Sequence, residues 1–126
     1  MTVLEAINLV DTLKPNHYTT EQKVEWLNIL DGMIFRDVIL THVRPCGSED
    51  VFKPYAPDGD MQDTLIVPHP YCDVYRFWLE SQIDLSNAEL SKYNVSSALY
   101  NQTLQNYMAW YNRSHMPIQR VRAIRI

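Results

Sequence analysis

Thr20-Glu-Gln-Lys-Val-Glu-Trp-Leu-Asn-Ile-Leu-Asp-Gly-Met-Ile-Phe-Arg-Asp-Val-Ile-Leu-Thr41 sets Leu27, Leu30, Ile34 and Val38 at helical spacing, flanked by Trp26, Met33 and Phe35. With Ile29 and Ile39 added, apolar side chains cover more than half of the circumference. A helix of that kind is touched from several sides and belongs at the centre of a domain. Thr19 and Gln22 form a capping box in front of it. Gly32 lies within it and costs about 1 kcal/mol relative to alanine. Close approach of a second helix is the expected reason for a glycine there.

Working outward, three more helices can be drawn. The first runs from about Thr2 to Leu13, with Thr2 and Glu5 as capping box and an apolar face of Val3, Leu4, Ile7 and Val10. Lys14-Pro15-Asn16 ends it. The third runs from about Pro70 to Asn94, with proline in its first turn. Tyr71, Val74, Tyr75, Trp78, Leu79, Ile83, Leu85 and Leu90 supply its buried side. The fourth runs from about Ser97 to Arg113, where Leu99, Tyr100, Leu104, Tyr107, Met108 and Tyr111 recur at steps of three and four. The fold class is mainly α, with about four helices in a small bundle. The second and third helices are of similar length, roughly 30–36 Å at ~1.5 Å per residue, which suits antiparallel packing.

Residues 43–69 interrupt the helices with prolines at 45, 54, 57 and 68. Connections this long are uncommon in compact domains. Val51-Phe52 and Leu65-Ile66-Val67 are short β-prone runs, and Pro57-Asp58-Gly59-Asp60 between them is a turn signal. The expected structure is a β-hairpin-like arm making contacts through Val51, Phe52, Tyr55, Leu65, Ile66 and Val67. A hairpin alone is marginal in water, so this arm needs a surface to lie on. Residues 1–117 then form one helical domain, and residues 118–126 an extended basic and aliphatic C-terminal tail.

Charge divides the chain sharply. Residues 1–89 hold all 15 acidic groups and 6 basic ones, a net of −9; residues 90–126 hold five basic groups and no acid. Such a split marks an interaction tail. In the tail, Arg120, Val121, Arg122, Ile124, Arg125 and Ile126 interleave guanidinium groups with aliphatics. That pattern suits an apolar groove with acidic edges better than a phosphate backbone, and makes these residues the expected subunit contact. A small nucleic-acid-binding module using the same arginines and Lys92 is the alternative. The overall net charge of −4 disfavours it.

Other functions find little support. Glycine occurs only at 32, 47 and 59, too few for a phosphate-cradling loop. No catalytic residues, cofactor or metal are expected. His42, Cys46, His69 and Cys72 are zinc-type ligands at unsuitable spacing. Asp58, Asp60 and Asp63 read as a solvated turn, and Glu80 with Asp84 as a charged outer helix face. Tyr93, Tyr100, Tyr107, Tyr111 and Trp110 fit either a core edge or a subunit interface. No apolar run approaches the ~20 residues of a membrane span. The start lacks a basic n-region and already carries an acid at Glu5, so a signal peptide is not expected there. A reducing cytoplasm, with Cys46 and Cys72 as free thiols, is the expected setting.

The order of these parts resembles the head–tail connector (adaptor, or head-completion) proteins of tailed bacteriophages. Leu30-Asp-Gly-Met-Ile-Phe-Arg36, Val67-Pro-His-Pro-Tyr71, Asp84-Leu-Ser-Asn87 and Tyr111-Asn-Arg-Ser-His-Met-Pro117 look like stretches of small phage structural proteins. The resemblance implies a non-enzymatic virion protein of the neck, made in the bacterial host cytoplasm. It also implies a ring, commonly of twelve copies, docked beneath a portal protein with a tail or stopper protein below. DNA would pass through the ring without sequence-specific binding, and no membrane is involved.

Overall fold

The computed structural model describes residues 1–118. Its helices are α1 (Val3–Leu13), α2 (Thr20–Ile34), α3 (Asp73–Ser86) and α4 (Leu90–Ser114). The fold is mainly α, as the periodicity requires. Both capping boxes form. The Thr2 hydroxyl accepts from the Glu5 amide while the Glu5 carboxylate accepts from the Thr2 amide, and Thr19 with Gln22 repeats the pattern. They satisfy backbone donors that a helix start leaves without partners.

α2 continues without a break into a π-helical segment, Phe35–Ile39, in which the Leu40 amide donates to the Phe35 carbonyl at 2.9 Å. Val24, Leu27, Leu30, Ile34 and Val38 are buried along this rod. They meet Val3, Ala6, Ile7 and Val10 of α1 and Val74, Tyr75, Leu79 and Ile83 of α3 in one core.

α3 and α4 form an antiparallel helical hairpin. Trp78 packs on Tyr100, and Tyr71 on Tyr107 and Trp110. The Ser96 hydroxyl donates to Asp84 at 2.8 Å. The break between these helices falls at 87–89, earlier than the apolar pattern suggests. Ala88 takes a left-handed backbone with φ of 58°. The Ala88 amide donates to the Leu85 carbonyl, and the Glu89 amide to the Asp84 carbonyl. This is the Schellman arrangement, with alanine where glycine is usual. α4 therefore starts at Leu90 and runs for 25 residues, about 37 Å.

The β-hairpin arm is not present: Val51-Phe52 and Leu65-Ile66-Val67 do not pair with each other. Residues 61–65 lie instead across the start of α1. The Val3 and Leu4 amides donate to the Asp63 and Met61 carbonyls at 3.0 and 3.1 Å, and the Leu65 amide donates to the Met1 carbonyl at 2.9 Å. A helix start with unfilled donors is a better partner for this strand-like run than a second short strand would be. Leu65 and Val67 are then free to enter the core, where both are buried.

Candidate interaction surfaces

The long loop is tied down by α2. Asn28 pairs with the Tyr55 backbone in both directions, accepting from its amide at 2.7 Å and donating to its carbonyl at 3.1 Å. One turn on, Asp31 is wholly buried. Its carboxylate accepts from the Tyr55 hydroxyl at 2.5 Å, the Tyr75 hydroxyl at 2.7 Å and the Ile66 amide at 3.1 Å. The Tyr75 oxygen also accepts from the Val67 amide at 2.7 Å. Burial pushes the Asp31 carboxyl above its ordinary range, although its hydrogen bonds pull the other way. Burial and the nearby Asp31 charge raise both tyrosines. Phe52 covers Gly32, its ring 3.6 Å from where a Cβ would stand, and packs on Phe35 and Tyr55. The close approach at Gly32 is thus made by the loop and not by another helix. Of the six residues assigned to the arm, Leu65 and Val67 are core, Phe52, Tyr55 and Ile66 are partly buried anchors, and Val51 is 75% exposed.

A second tie holds the start of the C-terminal segment. The Val43 amide donates to the Met116 carbonyl at 2.8 Å, and the Ile118 amide to the Thr41 carbonyl at 2.9 Å. His42 between them is buried, with Nδ1 2.6 Å from the Val38 carbonyl and Nε2 2.8 Å from Asn112 Oδ1. Tyr111 meets its ring edge-on and stacks flat against His115 at 3.8 Å. Of the α4 tyrosines, Tyr107 and Tyr111 are buried and serve the core, and Tyr100 packs against it. Arg120, Val121, Arg122, Ile124, Arg125 and Ile126 lie outside the described residues.

The third feature is a groove along the α3–α4 seam. At one end a hollow of about 320 Å³ is lined by Lys14, Glu80, Asp84, Lys92, Val95 and Leu99. Farther along the same seam a hollow of about 210 Å³ lies among Tyr71, Asp73, Thr103 and Asn106. Glu80 and Asp84 do not form an outer face. Asp84 is buried, bound by Lys14 at 2.6 Å and by Ser96, and Glu80 is held by Arg76 at 2.9 Å. Val95 and Leu99 stand 62% and 42% exposed above them.

His69 Nδ1 lies 2.9 Å from Cys72 Sγ, but the Cys72 thiol is buried and its pKa is raised by that burial, the reverse of an activated nucleophile. Cys46 and Cys72 are both free. Among the described residues no three His, Cys, Asp or Glu side chains converge as metal ligands, and no helix is long and apolar enough to cross a membrane. No protein-family model, curated protein or solved structure matches the chain.

The sequence pattern missed Asp31 as an anchor. Its signal was an acid at the i+4 position from Leu27, on the apolar side of the central helix. The groove had no linear signal, because its two walls come from different helices.

Proposed function

We propose that this protein is a structural subunit of a ring that joins a phage portal or head to its tail and surrounds the DNA channel. One observation carries the reading: the point at Ile118 where the basic, aliphatic segment begins and an exposed apolar groove lie on different sides of one subunit. The basic, aliphatic segment departs beside Thr41, and the exposed Val95 and Leu99 line a groove on the other flank of α4. Contacts between unlike surfaces are heterologous and generate rings when the rotation closes. Twelve copies, a portal protein above and a tail or stopper protein below follow from the family resemblance.

Charge supports the same reading. Residues 1–118 hold all 15 acidic groups against 8 basic ones, and residues 119–126 hold three arginines. A net-acidic body can surround DNA without gripping it, because binding strength follows the number of phosphates neutralised. The nucleic-acid module has less support, since Lys92 is held by Glu89 at 2.8 Å. Truncation after Ile118 keeps the tie to Thr41. It should leave a folded helical protein that no longer joins portal-bearing capsids to tails. Normal head completion by the truncated protein would remove the ring reading. Micromolar, salt-dependent binding of the intact protein to duplex DNA would favour the module instead.

A further inference from the structure

We infer that the α3–α4 groove is the receptor for residues 119–126 of a second copy of this chain. The inference deepens the ring reading and rests on it for the assembly, but the contact itself can fail or stand separately.

The groove runs along one side of the seam. On α4 its wall follows the stripe Lys92, Val95, Leu99, Thr103 and Asn106, residues three or four apart. On α3 its wall follows Asp73, Glu80 and Asp84, spaced seven and four apart and so also on one stripe. From Val95 to Asn106 the seam is about 17 Å long at ~1.5 Å per residue, the length of roughly five extended residues. One wall is apolar toward the Lys92 end; the other carries Glu80 and Asp84, already paired with Arg76 and Lys14, and the exposed carboxylate of Asp73 at its far end.

Residues 119–126 carry the matching pattern. In an extended segment Arg120, Arg122, Ile124 and Ile126 share one face, so the isoleucines supply aliphatic side chains for Val95 and Leu99 while the arginines supply charge for Asp73. The other charges at the groove are paired within the chain, Lys14 with Asp84, Arg76 with Glu80 and Lys92 with Glu89. Asp73 is exposed in the first turn of α3 and has no cation within ion-pair distance among the described residues. Arginine stems also lie well along apolar surface while their heads stay in water.

Residues 119–126 of the same chain are too short to reach the apolar end of this groove at Val95 and Leu99. The segment departs beside Thr41 and His42, which face Tyr111 and Asn112. At about 100° per residue, Tyr111 and Asn112 straddle the side of α4 opposite Val95 and Leu99. Half-way round a helix ~10–12 Å across is ~16 Å and the rise from Ser114 back to Val95 is ~28 Å, so the path over the helix surface is ~32 Å. Eight residues span at most ~29 Å. The occupant of that end must therefore come from another copy, and each copy offers one segment and one groove, the geometry of a head-to-tail chain of subunits.

The test uses full-length protein and a peptide of residues 116–126 as the probe. Titration should shift the methyl resonances of Val95 and Leu99 saturably, with fast exchange and an affinity of about 1–100 µM. Leu99→Asp should weaken binding about tenfold or more, and a peptide with its three arginines replaced by serine should weaken it several-fold. Both groove positions are well exposed, so Leu99→Asp should keep its circular dichroism; Val95→Glu provides a second variant. Without peptide, the same resonances should move on dilution of the full-length protein. Shifts confined to other surfaces, none at about 1 mM peptide, or binding indifferent to Leu99→Asp would overturn the inference. Groove signals unchanged by dilution and already at their peptide-bound positions would mean self-occupation, and would overturn it as well. Normal peptide binding combined with tail-independent head completion would sink the ring reading alone.

Discussion

The loop of residues 43–69 and the α3–α4 groove are built from similar material and end in opposite states. Both set carboxylates beside apolar side chains. In the loop, Asp31 is sealed under Tyr55, Tyr75 and the Ile66 amide, and Leu65 and Val67 complete the core. In the groove, Asp84 is equally buried, yet Val95 and Leu99 beside it remain open to water. The difference lies in who supplies the cover. The loop's two strand-like runs have a helix start and two α2 side chains to bind. The groove has walls and no lid among the described residues. A surface the chain closes on itself contributes to stability; one it leaves open is available for association.

Asp31→Ala tests the closed surface hardest. It strips an acceptor from the buried Tyr75 hydroxyl, the part-buried Tyr55 hydroxyl and a backbone amide, and should cost about 3 kcal/mol or more in urea unfolding. Asp31→Asn keeps the shape and part of the bonding, and should cost less. The pH dependence separates burial from bonding. Asp31 has a raised pKa in the folded state, so its contribution is fully present below the unfolded value near ~3.9 and is lost as pH rises through the folded value. The gap between wild type and Asp31→Asn should thus be widest in acid and narrow at higher pH. A gap that widens with pH would show that the tyrosine hydrogen bonds outweigh burial.

Leu65→Ala is the next largest effect, at about 2–4 kcal/mol, because Leu65 is 3% exposed within the core. As an exposed tip of a protruding arm it would cost almost nothing. The same measurement therefore decides between the hairpin that the β-prone runs suggest and the closed loop.

What could be read beforehand follows the range of the forces. The capping boxes at Thr2–Glu5 and Thr19–Gln22 involve residues three apart and were fully legible. The central helix was legible from Leu27, Leu30, Ile34 and Val38. The α3–α4 boundary was not, since apolar spacing runs on through Leu85 and Leu90 while the stop is an alanine in a glycine conformation. The arm was misread because the partners of residues 61–65 are the Met1 carbonyl and the amides of Val3 and Leu4, about sixty positions away. The contact character of residues 118–126 could be proposed from pattern alone, but its groove needed two helices to meet.

Ala88→Gly should act in the opposite direction and more weakly. A left-handed φ of 58° is strained for alanine and not for glycine. Relief of that strain, less the greater freedom of an unfolded glycine, leaves a gain of about 0.5–1 kcal/mol, visible as a rise in Tm. The groove lies on the hairpin this turn closes, so peptide binding should be unchanged. A loss of binding with a gain in stability would show that the groove depends on slack at the turn.

Leu99→Ala should have the smallest effect on the folded protein. Leu99 is 42% exposed and contributes to a wall, not to the core, so unfolding should shift by less than about 0.5 kcal/mol. The contrast with Leu65→Ala is the sharpest form of the comparison: the same leucine truncation, in a closed surface and in an open one. If Leu99→Ala costs as much as Leu65→Ala, the α3–α4 seam is already closed within one chain and holds no vacancy for another. A near-zero cost, joined to weaker self-association, would place the free energy of this leucine in the assembly and not in the fold.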